Sequence, residues 1–175
     1  ALAEVLGKLK AENKIGAIYL EGGSSMFYFT GVRWGNSERP FVCVIPARGD
    51  LGWVCPAFEE ERARELVKGQ ADVRVWQEDE SPYKVIAGIV KDRGVGAGQV
   101  GVEERLRYFI YSGVKKEAPG AYFVDAEVVT AGCRMFKSAH ELQLMQRASD
   151  ITVAAYRDSW PKITAGMQPQ DISDL

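Results

Sequence analysis

Apolar residues along this chain alternate between two spacings, and that alternation restricts the fold more than any other feature of the sequence. Leu2, Val5, Leu6 and Leu9 fall at i, i+3, i+4 and i+7, which predicts an amphipathic helix over residues 2–13. Asn13-Lys14-Ile15-Gly16 ends that helix and delivers Ala17-Ile18-Tyr19-Leu20, a short run, partly β-branched or aromatic, that reads as a buried strand. Residues 41–46 and 51–56 flank Ala47-Arg48-Gly49-Asp50, a hairpin and so an antiparallel element. A charged helix over 57–68 follows, with Glu59, Glu60 and Glu61 early and Arg62, Arg64 and Lys68 late, in keeping with the helix dipole. Residues 72–76 alternate like a strand with one buried face. Ser81 is a predicted N-cap with Pro82 at the first helical position of a helix that buries Val85, Ile86, Ile89 and Val90. Val100-Gly101-Val102 and Ala121-Tyr122-Phe123-Val124 are further strands. Leu106, Phe109, Ile110 and Val114 mark the helix between them, stopped by Pro119-Gly120. Helix and strand in regular alternation, with one hairpin inserted, specify an α/β domain. Its mixed sheet of five or six strands is flanked by helices.

The richest stretch lies between the first strand and the hairpin. Glu21-Gly22-Gly23-Ser24 is a turn, Met26-Phe27-Tyr28-Phe29 an aromatic knot closed by Thr30-Gly31, and residues 33–40 a polar loop, Arg-Trp-Gly-Asn-Ser-Glu-Arg-Pro. A Trp and two Arg on a Gly-bearing loop held between strands is where recognition chemistry tends to sit; the alternative is a core knot followed by an ordinary solvated loop.

Charge balance limits the partners. Lys plus Arg number 22 against 24 Asp plus Glu, which argues against a nucleic-acid footprint or a basic membrane surface. No apolar run approaches the roughly 20 residues that cross a bilayer, and the first eight residues carry charges inside their apolar pattern, unlike a secretory segment. Cys43, Cys55 and Cys133 show no metal-ligand spacing. Cys43 and Cys55 lie on one hairpin, yet buried free thiols in a reducing compartment suit them better. The expected location is cytoplasmic.

Two motif matches carry no chemistry. Gly96 to Gly101 spells G-x-G-x-x-G, but a dinucleotide site needs a strand before the glycines and a helix after them, and here the order is reversed. Ser112-Gly113-Val114-Lys115 matches S-x-x-K with nothing else of that active site present. His140, the only histidine, sits in the first turn of a predicted helix and reads as a surface residue.

Ser138-Ala139-His140-Glu141 is a capping box, opening a long helix with Leu142, Met145, Ala148, Ile151, Thr152 and Ala155 on one side. Another helix starts near Pro169, too short to stand alone. The chain, which has no initiator Met, reads as cut from something larger.

Phe27-Tyr28-Phe29-Thr30-Gly31, then Ser37-Glu38-Arg39-Pro40, then Phe136-Lys137-Ser138 with Glu141, Met145 and Ala148, then Gly166-Met167 occur in this order. Together they resemble the N-terminal region of the Xaa-Pro peptidases, the family of prolidase, aminopeptidase P and creatinase. The resemblance covers essentially the whole chain. It implies a creatinase/prolidase N-terminal α/β domain over 1–136, with 137–175 the linker and first helices of a truncated "pita-bread" catalytic domain. It implies a homodimer in which this domain caps the partner subunit's active site, and a proline-containing dipeptide or peptide as the full-length enzyme's substrate. It also implies a pair of divalent metal ions (Mn, Co or Zn) held further along the catalytic domain. This chain would then hold no metal and no catalytic residue, and would be inactive alone. By the same resemblance Arg39, with Ser37 and Trp34 beside it, falls where creatinase-like enzymes place a substrate-binding Arg, and Trp76 where aminopeptidase P places a capping Trp; the alternatives are that Arg39 pairs with a surface acid and that Trp76 is a core residue. A creatinase-like C–N hydrolase and a non-catalytic protein-binding module share the architecture and are the alternatives.

Overall fold

The computed structural model describes residues 2–11, 14–69 and 72–175. Its six strands are β1 (Ile15–Glu21), β2 (Val42–Pro46), β3 (Gly52–Pro56), β4 (Asp72–Trp76), β5 (Gln99–Val102) and β6 (Tyr122–Asp125). They form one mixed sheet in the order β4-β3-β2-β1-β5-β6. β2 pairs antiparallel with both β1 and β3, and Cys43 lies opposite Trp53 across the expected hairpin. The other neighbours, β1 with β5, β3 with β4 and β5 with β6, are parallel. Each of those later strands is reached through a helix, the connection that parallel pairing requires.

Helices cover both faces. Helix α1 (Leu2–Ala11), α2 (Ser24–Thr30), α3 (Glu60–Val67) and α6 (Glu127–Met135) send Val5, Met26, Phe29, Ala63, Val67, Val129 and Cys133 onto one face. On the other, α4 (Pro82–Asp92) and α5 (Tyr108–Glu117) bring Ile86, Ile89, Val90, Ile110 and Val114 against Tyr19, Val44 and Val54. With both faces covered, every residue of β2 and β3 is buried, which is why those runs read as continuously apolar. The three cysteines are buried free thiols. Ser81 caps α4, accepting from the Lys84 amide, and the glycines after α4 lead into a strand, as the spacing predicts. The predicted helix over 2–13 runs to Ala11; Glu12, Asn13 and the Leu9 side chain lie outside the described residues.

Two helices depart from the sequence expectation. The aromatic knot is the helix α2, ended by Gly31, whose left-handed φ of 75° lets its N–H reach the Phe27 carbonyl. Helix α6 has no counterpart in the periodicity read above. Val128-Val129-Thr130 and Gly132 are poor helix formers, and packing of Val129 and Cys133 on the core overrides them. The Asp125 carboxylate accepts from the Glu127 amide at 2.8 Å and starts the helix.

Two acids are buried where β1 and β5 end side by side. Glu21 is 3 % exposed and is ion-paired with Arg107, whose backbone N–H also donates to it at 3.4 Å. Glu103 is 6 % exposed, with one carboxyl oxygen lacking a partner. Burial pushes the Glu103 carboxyl up from the ordinary glutamate range, while a hydrogen bond from Ser25 pulls the other way. The folded chain therefore holds this proton more tightly than the unfolded chain. Its destabilisation is absent below the unfolded pKa, grows as pH rises through the carboxylate range, and is constant above the folded pKa. Glu103→Gln is expected to melt progressively higher than wild type as pH rises from about 4 to neutrality, reaching a plateau. Parallel pH profiles of melting temperature check this, and a pH-independent gap between the two would contradict it.

The chain divides into two compact units, Ala1–Arg134 and Met135–Leu175. The second is the long helix α7 (Ala139–Ser159), a 3-10 turn at Trp160–Lys162 and the short α8 (Pro169–Ser173). Ser138 caps α7 as its spacing predicts: its hydroxyl accepts from the Glu141 amide at 3.2 Å, and its own amide donates to the Glu141 carboxylate at 2.8 Å. Leu142, Met145 and Ile151 on α7 are exposed. Ser138→Ala should cost about 1 kcal/mol of local helix stability, read as faster amide exchange in the first turn of α7.

Candidate functional site

The loop between α2 and β2 is tied at both ends. Trp34 is buried and stacks on Phe41 with ring centroids 3.8 Å apart and planes 8° from parallel. The Arg62 guanidinium covers Trp34 at 4.3 Å. The loop backbone leans on Gly22, where an added Cβ would lie 3.0 Å from both the Trp34 carbonyl and the Asn36 side chain. Ser37 closes the far end. Its hydroxyl accepts from the Arg39 amide and donates to the Arg39 carbonyl, both at 3.2 Å.

Arg39 leaves this braced turn with its side chain 37 % exposed. Nε and Nη2 donate to the two oxygens of Glu78 at 2.8 and 3.1 Å, a bidentate pair. Nη1 bonds the neighbouring Glu38, and the guanidinium lies 5.5 Å from the exposed Phe58 ring. The hydrogen bond from Arg39 holds the Glu78 carboxyl below its usual range, and the same bond raises Arg39.

Beneath this lies Trp76, buried at the end of β4, whose indole N–H donates to the Pro40 carbonyl at 3.4 Å. Trp76 thus anchors the residue after Arg39, two positions before Glu78 in its own strand's exit. The structure brings Arg39 and Ser37 together at the surface and puts Trp34 and Trp76, grouped with them in the sequence reading, underneath. The reason is physical: both indoles are worth more against the aromatic and aliphatic core than in water.

Glu78 and Phe58 escaped the sequence reading. No spacing relates Glu78 to Arg39, 39 positions away. Their meeting depends on Trp76 reaching back to Pro40. What the arrangement can do is bind a carboxylate: a planar, always-charged fork sits at the tip of a fixed turn, and a carboxylate occupies it. Among the described residues no group of three or more His, Cys, Asp or Glu is placed to hold a metal ion.

Residues 3–136 match the family model of the Creatinase/Prolidase N-terminal domain. A peptidase of Schizosaccharomyces pombe, described as uncharacterized, is 33 % identical over 178 residues, covering 94 % of this chain and 38 % of that protein. The Xaa-Pro dipeptidase of Lactobacillus helveticus is 24 % identical over 157 residues, 89 % of this chain and 42 % of the dipeptidase. The chain thus spans about two fifths of the length of the curated relatives it matches. Among solved structures, a recombinant prolidase of Thermococcus sibiricus superposes with a TM-score of 0.84 at 20 % identity, over 99 % of this chain and 48 % of that one. At that identity the likeness concerns the fold.

Proposed function

We propose, since this chain belongs to the creatinase/prolidase N-terminal domain family, that it is the N-terminal domain of a metal-dependent Xaa-Pro dipeptidase or aminopeptidase, and that its Arg39 loop caps the active site of a partner subunit in a homodimer. Arg39 takes the carboxylate of a proline-containing dipeptide or short peptide. Ser37 fixes the turn from which Arg39 projects. Trp34 and Trp76 act from below, holding the loop to β2 and β4. The metal ions (Mn, Co or Zn) and the residues that hold them belong to the catalytic domain, so the 175-residue chain alone is inactive.

The observation that carries this reading is the bidentate seat of Glu78 on Arg39, which presents a carboxylate to the fork as a substrate would. The pair is exposed, so it exchanges readily for a second carboxylate. The test compares hydrolysis of an Xaa-Pro dipeptide with that of the same dipeptide amidated at its C-terminus. The enzyme carrying this domain should prefer the free acid, and Arg39→Ala should abolish that preference while leaving the amide turned over as before. An undiminished preference in the variant would end the role given to Arg39.

A further inference from the structure

Arg39 has more acid around it than its own charge can balance. Glu78 takes Nε and Nη2, and Glu38 takes Nη1. One cation between two carboxylates leaves the cluster net negative, and Glu59 lies close enough to act on Arg39 through its charge. With its own acids seated, the tip of the turn therefore repels an incoming carboxylate. It attracts one only when a seated acid leaves.

Glu78 is the acid placed to compete for the fork. Its loop is closed on itself: the Gln77 N–H donates to the Glu80 carboxylate at 2.9 Å, and the Glu80 N–H donates to the Gln77 carbonyl at 2.8 Å. Trp76, just before that loop, is fixed to the Pro40 carbonyl, just after Arg39. Both partners thus project from braced turns that are tied to each other, so their pairing orders little more than two side chains. Glu38 differs, since it is the chain neighbour of Arg39, is 77 % exposed and makes a single contact with it. The Glu78 side chain is 58 % exposed, so it returns to water with little loss. A contact so well placed and so easily broken suits exchange better than scaffolding.

We propose that Glu78 sets the specificity of the loop: it competes with the substrate's carboxylate for the Arg39 fork, and so limits how strongly the enzyme prefers a peptide with a free C-terminus. The proposal rests on the substrate role given to Arg39 above. While Glu78 is seated, Nε and Nη2 are filled, and the fraction of time the fork stands empty scales its apparent affinity for a second carboxylate. A substrate with no C-terminal charge does not contend for the fork. A purely orienting Glu78 would act in the opposite direction, because the substrate would then bind beside it on the remaining N–H groups and would lose affinity without it. The charge balance opposes that arrangement, which gathers three carboxylates on one cation.

The test is Glu78→Gln in the enzyme that carries the catalytic domain, assayed with an Xaa-Pro dipeptide and with its C-terminal amide. Glutamine keeps the size and one acceptor oxygen but gives up the charge. The acid-to-amide ratio of kcat/KM should widen about two- to fivefold, the span measured for exposed ion pairs, and the change should lie in the KM of the acid. In an Arg39→Ala background the same substitution should leave the ratio where Arg39→Ala put it. Thermal melts of Glu78→Gln should coincide with wild type, since the pair is exposed. A ratio that stays or narrows, while Arg39→Ala still abolishes the acid preference, would overturn the competition and leave the role of Arg39 standing. A widening that persists without Arg39 would overturn it as well, by placing the effect of Glu78 elsewhere. If Arg39→Ala keeps the acid preference, Arg39 does not hold the substrate carboxylate and the competition falls with it.

Discussion

Arg107→Ala is expected to destabilise the chain by about 3 kcal/mol, near the lower end of what removing one partner of a buried ion pair costs. The substitution strands the Glu21 carboxylate, only 3 % exposed, at the end of β1 with no cation to pair it. Arg107 itself is 30 % exposed, so water partly replaces it and the upper end of the range is not expected. For a chain of this size the loss corresponds to a fall in melting temperature of roughly 6–12 °C. Adding Glu21→Gln to the Arg107→Ala background should recover part of the loss, since an unpaired amide is far cheaper to bury than an unpaired charge. Thermal melts of the two variants and wild type decide it. If Arg107→Ala melts with wild type, Glu21 has another route to compensation and the account of this corner of the fold is wrong.

Arg39→Ala has the opposite profile. The isolated chain should melt as before, because the Arg39–Glu78 pair lies at the surface and the loop is held by Trp34, Ser37 and Trp76 instead. In the enzyme that carries the catalytic domain, kcat/KM toward an Xaa-Pro dipeptide should drop roughly ten- to a hundred-fold, the range for losing a charged hydrogen bond to a substrate carboxylate. Arg39→Lys should recover only part, since an ammonium cannot reproduce the two-pronged contact. A large drop in the melting temperature of the chain, with activity lost in proportion to folded enzyme, would make Arg39 a scaffold residue.

Much of the fold was legible because its signals are local. Two-residue alternation marked β4, the 41–56 hairpin announced itself by its turn, and Ser81-Pro82 and Ser138 with Glu141 placed two helix starts at the residues where they occur. Helices α2 and α6 were not legible. In α2, aromatic bulk hides the helical period; in α6, β-branched residues and a glycine argue locally against a helix that the core supports. The site divides the same way. Arg39 and Ser37 were singled out from their motif and the structure joins them through a turn. Glu78 was not, because contact across 39 residues is a property of the sheet order, not of any window of sequence. The burial of Trp34 was equally invisible, since a Trp on a polar loop has the same spacing whether it points inward or outward; that of Trp76, at the end of an alternating strand, was open to the sequence as the alternative to a capping role.

Subunit mixing tests the central claim, that the Arg39 loop serves a partner's active site, most directly. One variant of the full-length enzyme carries Arg39→Ala with an intact catalytic domain; the other keeps Arg39 and has a metal ligand of its catalytic domain removed. Each homodimer should be nearly inactive toward an Xaa-Pro dipeptide. If Arg39 acts across the dimer, mixed dimers contain one complete site, formed by the intact loop of one subunit over the intact catalytic domain of the other. Dissociation and reassociation of the two variants should then restore activity well above the sum of the separate homodimers. Activity that stays at that sum after mixed dimers have formed would contradict the claim.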